Sequence, residues 1–109
     1  MWQKAHKFVL GTYQFTKQFP KHEIYGFSFQ FSRAAVSIPA IIAEGFKKRG
    51  TKDKIRYLNI SHGSLEECRY YLILAKDLDY GNSEQLDTLI EEVSRLLNGY
   101  YVAILNSES

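Results

Sequence analysis

The stretch that decides the fold reads LNISHGSLEECRYYLILA and covers residues 58–75. Leucine recurs at every seventh position, and a small side chain follows three residues after each leucine: Leu58, Leu65 and Leu72, then Ser61, Cys68 and Ala75. Large and small side chains therefore alternate along one seam of a helix, which lets a second helix approach closely. The pattern predicts an α-helix that begins at Thr51, as its N-cap, and runs to about Leu78.

Two segments before this stretch show the same helical spacing of apolar residues. The first covers residues 2–18 and ends before Pro20, because proline cannot continue a helix. The second covers residues 23–46. A short alternating run at residues 27–31 would also suit a strand, but the helical face of this segment extends over about five turns and outweighs it.

A fourth helix follows the turn at residues 80–82, with Asn82 as its cap and Gln85 as the capping-box partner. Its apolar residues lie on one face as far as Ile104. Because the connections between the four helices are short, successive helices are expected to be antiparallel neighbours. The sequence therefore predicts a single all-α domain over residues 1–109, an up-down-up-down four-helix bundle.

The composition is that of a small globular protein. The chain has 109 residues, of which 45% are hydrophobic and 24% are charged, and this is typical of one soluble domain. The single cysteine excludes an intrachain disulfide, and the sequence shows neither a membrane-length apolar run nor a signal peptide. These features predict a cytoplasmic protein that does not bind a membrane.

Helices two and three carry apolar residues over more than half of their circumference, which is more than one small core needs. The surplus is expected to face other copies of the chain, so the sequence predicts a homo-oligomer. Polar residues beside the apolar face of helix two would fix the register between subunits, or else bind a ligand. The candidate interface residues are Phe29, Arg33, Ser37, Glu44, Tyr57 and Tyr71.

The charge is distributed unevenly along the chain. Residues 1–56 contain 11 lysines and arginines against 3 acidic residues, whereas residues 57–109 contain 3 against 9. Either the two halves attract each other, within one chain or between several chains, or the basic half binds an anionic partner.

The densest positive charge lies between helices two and three, flanked by Phe46 and Tyr57. Its six basic residues are Lys47, Lys48, Arg49, Lys52, Lys54 and Arg56. Cationic side chains beside aromatic rings can neutralise phosphates and stack bases, although a solvated turn would carry the same charges. The preferred hypothesis is an accessory protein that binds RNA or DNA through this loop.

The alternative hypothesis is an oligomeric scaffold whose acidic second half docks a basic protein, such as a polymerase. The acidic residues that would form this surface are Asp77, Asp79, Glu84, Asp87, Glu91 and Glu92. Recovery of a protein partner without nucleic acid would favour this hypothesis over the first.

No set of residues in the sequence indicates catalysis. The sequence contains no Gly-rich phosphate loop, nucleophile elbow or paired carboxylates. His62 and Glu66, four residues apart on one helix face, supply two of the ligands that a zinc site needs and no more. Cys68 stands in the leucine seam, where burial is expected rather than nucleophilic reactivity. The sequence predicts a non-enzymatic protein without a metal or cofactor.

Several blocks of the sequence resemble a known bacterial family. They are WQKAH at residues 2–6, RAAVSIPA at 33–40, IAEG at 42–45, GSLEE at 63–67 and LAKDL at 74–78. They look like the four-helix bundle proteins that are named for members encoded within intervening sequences of 23S ribosomal RNA genes. The resemblance extends over essentially the whole chain.

The resemblance implies four antiparallel helices, commonly assembled as a homopentamer. It also implies a relation to the accessory variability protein of diversity-generating retroelements, a basic pentamer that associates with a reverse transcriptase and nucleic acid. The family offers no established catalytic residues, and Arg33 and Glu44 match its motif in an interfacial role. Ile41 stands where the family often has asparagine, and Ser32 stands where a second basic residue is frequent, which weakens phosphate binding through helix two.

Overall fold

The computed structural model describes residues 2–107. These residues form α1 (Trp2–Thr16), α2 (Phe27–Lys47), α3 (Thr51–Asp77) and α4 (Glu84–Asn106), with a 3₁₀ turn at Lys21–Glu23 between α1 and α2. Around the bundle, α1 packs against α2 and α4, and α3 packs against the same two helices. The bundle extends over 50 × 23 × 19 Å. The prediction of an all-α four-helix bundle is confirmed.

The leucine seam of α3 lies at the centre of the core. Its three leucines and the three small residues that alternate with them are all buried. Ser61 is the one hydroxyl residue among the six, and it donates a hydrogen bond of 3.0 Å to the backbone carbonyl of Ile38 in α2. Because a buried hydroxyl without a partner would destabilise the fold, this bond makes Ser61 compatible with the contact between α2 and α3.

The aromatic run at the start of α2 shows why a helix forms there rather than a strand. In a strand, Phe27, Phe29 and Phe31 would share one face. In the helix, Phe31 is fully buried and Phe27 packs against the core, whereas Phe29 points away and is half exposed. The other buried apolar residues of α2 lie on the same face as Phe31 and point into the core. A helix therefore buries more apolar side chains of this segment than a strand would.

Aromatic rings fill the end of the bundle at which α1 connects to α2. Phe31 contacts Phe8 and Phe15 of α1, and Phe27 contacts Phe19. Tyr71 of α3 completes this cluster, with its ring centroid 5.5 Å from that of Phe27 and 5.6 Å from that of Phe31. Tyr71, a predicted interface residue, therefore packs within its own chain.

Two of the predicted helix caps are wrong by one residue. Thr51 is the first residue of α3, and Gly50 occupies the cap position before it. At α4 the cap position belongs to Ser83, although the side chain of Asn82 still accepts a hydrogen bond of 2.9 Å from the backbone N–H of Glu84. In both places two consecutive residues suit the cap position. The geometry of the turn therefore decides which of them begins the helix.

Two helical glycines differ in their surroundings: Gly45 lies at a close helix contact and Gly63 does not. A Cβ added at Gly45 of α2 would lie 3.2 Å from the Cβ of Tyr57 in α3, whereas one added at Gly63 would meet nothing within 4 Å. The Cβ of Tyr57 moves with the backbone of α3, so the two helices must separate to accommodate alanine at position 45.

We expect Gly45→Ala to lower the free energy of unfolding by about 1 kcal/mol, because overpacking outweighs the gain in helix propensity. Gly63→Ala is the matched control and should raise it by roughly 1 kcal/mol. Urea unfolding followed by circular dichroism, at one protein concentration, measures both changes. Stabilisation by both alanines would contradict the close contact at Gly45.

Candidate nucleic-acid interface

The six predicted basic residues lie together at one end of the bundle. α2 ends at Lys47 and α3 begins at Thr51, so the connection between these helices has three residues. Lys52, Lys54 and Arg56 follow in the first two turns of α3. Because successive helices are antiparallel, this end also contains the start of α1 and the end of α4. We refer to residues 47–56 at this end of the bundle as the cationic end.

Three of the six cations contact their own chain. The Lys48 ammonium lies 4.8 Å from the ring centroid of Tyr57, and the Arg56 guanidinium carbon lies 5.7 Å from it. Both distances are within the range of cation–π attraction. The Lys54 ammonium donates a hydrogen bond of 3.5 Å to the backbone carbonyl of Phe46, one of the carbonyls that the end of α2 leaves without a helical partner.

Lys47, Arg49 and Lys52 are exposed and make no hydrogen bond, ion pair or ring contact within the described part of the chain. None of the six cations forms an ion pair with a carboxylate of residues 2–107. The carboxylates of residues 2–107 therefore do not neutralise the cationic end.

Ion pairing between the two oppositely charged halves is sparse. Within residues 2–107, one ion pair joins them, from the Lys4 ammonium of α1 to the Glu92 carboxylate of α4 at 2.8 Å. The hydrogen bond from Lys4 lowers the pKa of the Glu92 carboxyl. This contact lies between α1 and α4 and leaves the charge of the loop between α2 and α3 unchanged.

Phe46, at the edge of the cationic end, contacts an aromatic residue that the sequence did not single out as functional. Its ring centroid lies 5.1 Å from that of Tyr100 in α4, with the planes tilted by 49°. Phe46 is 44% exposed and Tyr100 is partly buried. The amphipathic pattern of α4 identified Tyr100 as an apolar residue, but no local signal connects it with a residue so far away in the sequence.

The six predicted interface residues lie in separate regions of the bundle. Phe29, Arg33 and Ser37 line a surface depression of about 280 Å³ between α2 and Tyr13 of α1. Glu44 is exposed near the C-terminal end of α2. Tyr57 lies beneath the cations of the loop and Tyr71 lies in the aromatic cluster, so the six do not form one continuous surface.

A polar contact centred on Arg69 of α3 joins this helix to α4. The Arg69 guanidinium donates two hydrogen bonds of 3.0 Å to the Glu91 carboxylate of α4, and a further one to Glu66. Burial lowers the pKa of the nearby His62, against the opposing charge of Glu66. Residues 2–107 contain no group of three histidine, cysteine or acidic side chains arranged to hold a metal ion. The geometry of Arg69 is that of a bidentate ion pair that holds two helices together.

Cys68 is fully buried in the α3 seam, and burial raises the pKa of its thiol to about 12. The thiol therefore stays protonated and inaccessible at neutral pH, which is the opposite of what a nucleophile needs.

We expect iodoacetamide at about pH 8 to leave Cys68 unmodified in the folded protein and to modify it fully in denaturant, where the thiol regains an ordinary pKa. Intact-mass spectrometry over time gives both rates. Rapid modification without denaturant would contradict the burial of this residue.

Comparison with known proteins agrees with the fold. In the described part of the chain no helix is long and apolar enough to cross a membrane. Among protein-family models, the one for the 23S rRNA-intervening sequence protein matches residues 1–99. A search of curated proteins gives no significant match. The family match covers the first three helices and α4 as far as residue 99, and the chain belongs to the 23S rRNA-intervening sequence protein family.

Proposed function

We propose that this protein is a non-enzymatic, homo-oligomeric accessory protein of the cytoplasm that binds RNA or DNA through its cationic end. The observation that carries the proposal is that six basic side chains share one end of the bundle without a carboxylate partner in residues 2–107. Nucleic acids bind such surfaces because each phosphate that is neutralised releases condensed counterions.

The arrangement of the cations supports contact with a phosphate backbone. Lys47, Arg49 and Lys52 extend into solvent, so their ammonium and guanidinium groups can meet phosphates without breaking a contact within the chain. Lys48 and Arg56 hold their charges over the ring of Tyr57. Phosphate contacts of this kind carry no base sequence information, and the proposal is therefore one of sequence-independent binding.

The acidic half supports the alternative of a protein-docking scaffold less well. Three of its six candidate residues already have partners, and two of these are in ion pairs: Glu91 binds Arg69 and Glu92 binds Lys4. Asp87 accepts a hydrogen bond of 3.2 Å from Ser83. A basic protein that docked on this surface would compete with these contacts, whereas a polyanion could meet Lys47, Arg49 and Lys52 without competing with any side-chain contact of residues 2–107.

Homo-oligomerisation would multiply the cationic end by the number of subunits. Tyr13, Phe29 and Val36 are each two-fifths to one-half exposed and line one depression between α1 and α2, which supports contact with another copy. The resemblance described above favours a pentamer. A ring of copies in one orientation would place all of their loops on one rim.

Reversal of the three cations without intrachain contacts tests the binding surface. We expect the triple variant Lys47→Glu, Arg49→Glu, Lys52→Glu to abolish binding of a fluorescent oligonucleotide in an anisotropy titration, with unchanged helix content. For the wild-type protein, log K should fall by roughly 0.7 to 0.9 per phosphate contacted for each tenfold rise in salt concentration.

The matched control is the triple variant Lys17→Glu, Lys21→Glu, Lys76→Glu, which changes the net charge equally but alters exposed lysines at the other end of the bundle. It should keep most of the affinity. If both variants lose binding to the same extent, net charge rather than the cationic end is responsible.

Light scattering on a size-exclusion column tests the oligomer. We expect a mass near five times the 12.6 kDa of the chain, and a smaller mass for Phe29→Glu, because a buried charge would disrupt the apolar contact between subunits. Tyr70→Glu, at a residue 58% exposed on α3, is the control and should leave the mass unchanged. A wild-type monomer would refute the assembly.

A further inference from the structure

Phe46 and Tyr100 form an aromatic pair that bridges opposite corners of the bundle. Phe46 lies in the last turn of α2, and Tyr100 lies two turns before the end of α4. These helices are diagonal neighbours, and within residues 2–107 their backbones do not approach each other closely. Tyr100 packs against the core with part of its ring, and Phe46 rests on it with 44% of its surface exposed. The pair therefore presents a supported ring face to solvent at the end of the bundle.

Positive charge lies directly beside this pair. Lys47 follows Phe46 in the chain, and the Lys54 ammonium lies 3.5 Å from the Phe46 carbonyl oxygen. Two carboxylates, Glu44 and Asp53, belong to the same region, so the six cations exceed the acidic side chains. An exposed aromatic face and a net positive charge thus occupy one surface.

Tyr57, the aromatic residue at the other edge of the basic run, is arranged differently. Lys48 and Arg56 both lie over its ring, and its Cβ is held against Gly45 of α2. A base cannot stack on a ring face that cations already cover. Tyr57 positions two cations, whereas no cation contact is found on the ring of Phe46 or Tyr100 within residues 2–107, so this pair remains open to a base.

An aromatic ring with an accessible face is expected to bind single strands more tightly than duplexes. In a duplex the base faces are stacked inside the helix and the phosphates lie outside, so cations attract it and an aromatic ring adds little. In a single strand the base faces are available, and they stack on aromatic side chains whatever the base. We infer that the Phe46–Tyr100 pair is a base-stacking platform and that the ligand of the cationic end is single-stranded nucleic acid. This inference rests on the proposed function and adds the class of nucleic acid to it.

Three labelled probes of equal length separate stacking from charge: a single strand, the same strand with abasic sites in place of its bases, and the matched duplex. In anisotropy titrations we expect the wild-type protein to bind the single strand more tightly than the other two. Phe46→Leu and Tyr100→Leu keep an apolar side chain in place but remove the ring. Each should weaken binding of the single strand by about fivefold or more and leave binding of the abasic strand unchanged.

Tyr70→Leu is the matched control, because it removes an exposed tyrosine ring near the other end of α3 and should not change any of the three affinities. If Phe46→Leu weakens binding of the single strand and of the abasic strand by the same factor, the ring acts through the fold and the inference is overturned. Equal wild-type affinity for the single strand and the duplex would also overturn it, while the proposed function would stand. A protein that binds none of the three probes would refute the proposed function itself.

Discussion

The close contact between α2 and α3 is the constraint on which the rest of the structure depends. It requires small groups where the helices meet: no side chain at Gly45, opposite Tyr57, and a small hydroxyl at Ser61, which bonds to the carbonyl of Ile38. Because these helices approach closely, a connection of three residues is long enough to join them. The six cations are consequently held within a few turns of one another instead of being spread over a long loop.

Crowding of like charges at one end of a small bundle has an energetic consequence. Unpaired cations repel each other, and this repulsion destabilises the compact state until an anion neutralises them. The structure reduces the repulsion in part, through the ring of Tyr57 beneath Lys48 and Arg56 and through the carbonyl that accepts a hydrogen bond from Lys54. The remaining cations face solvent, as expected for a surface whose partner is a polyanion.

Some charged side chains of the bundle form ion pairs between helices, and others have no such partner. Arg69 binds Glu91 of α4 and so holds α3 against α4, with Glu66 of its own helix as a second partner, and Lys4 binds Glu92 and so holds α1 against α4. These pairs contribute to the register of the bundle, as polar stripes beside apolar faces commonly do. Ion pairs therefore join some of the helices, but within residues 2–107 none of them involves the cationic end.

The sequence by itself determined the four helices, the leucine seam and the basic loop, because each depends on local spacing: apolar periodicity, a proline or glycine at a boundary, and a run of charges. The tertiary structure decided which aromatic residues meet. It placed Tyr71 inside its own aromatic cluster, gave Tyr57 to the cations and paired Phe46 with Tyr100. It also moved the cap of α4 from Asn82 to Ser83. The periodicity of a helix shows that a face is apolar, but the rotation and axial position of its neighbours select the partner of each side chain, and these follow from the packing of all four helices together.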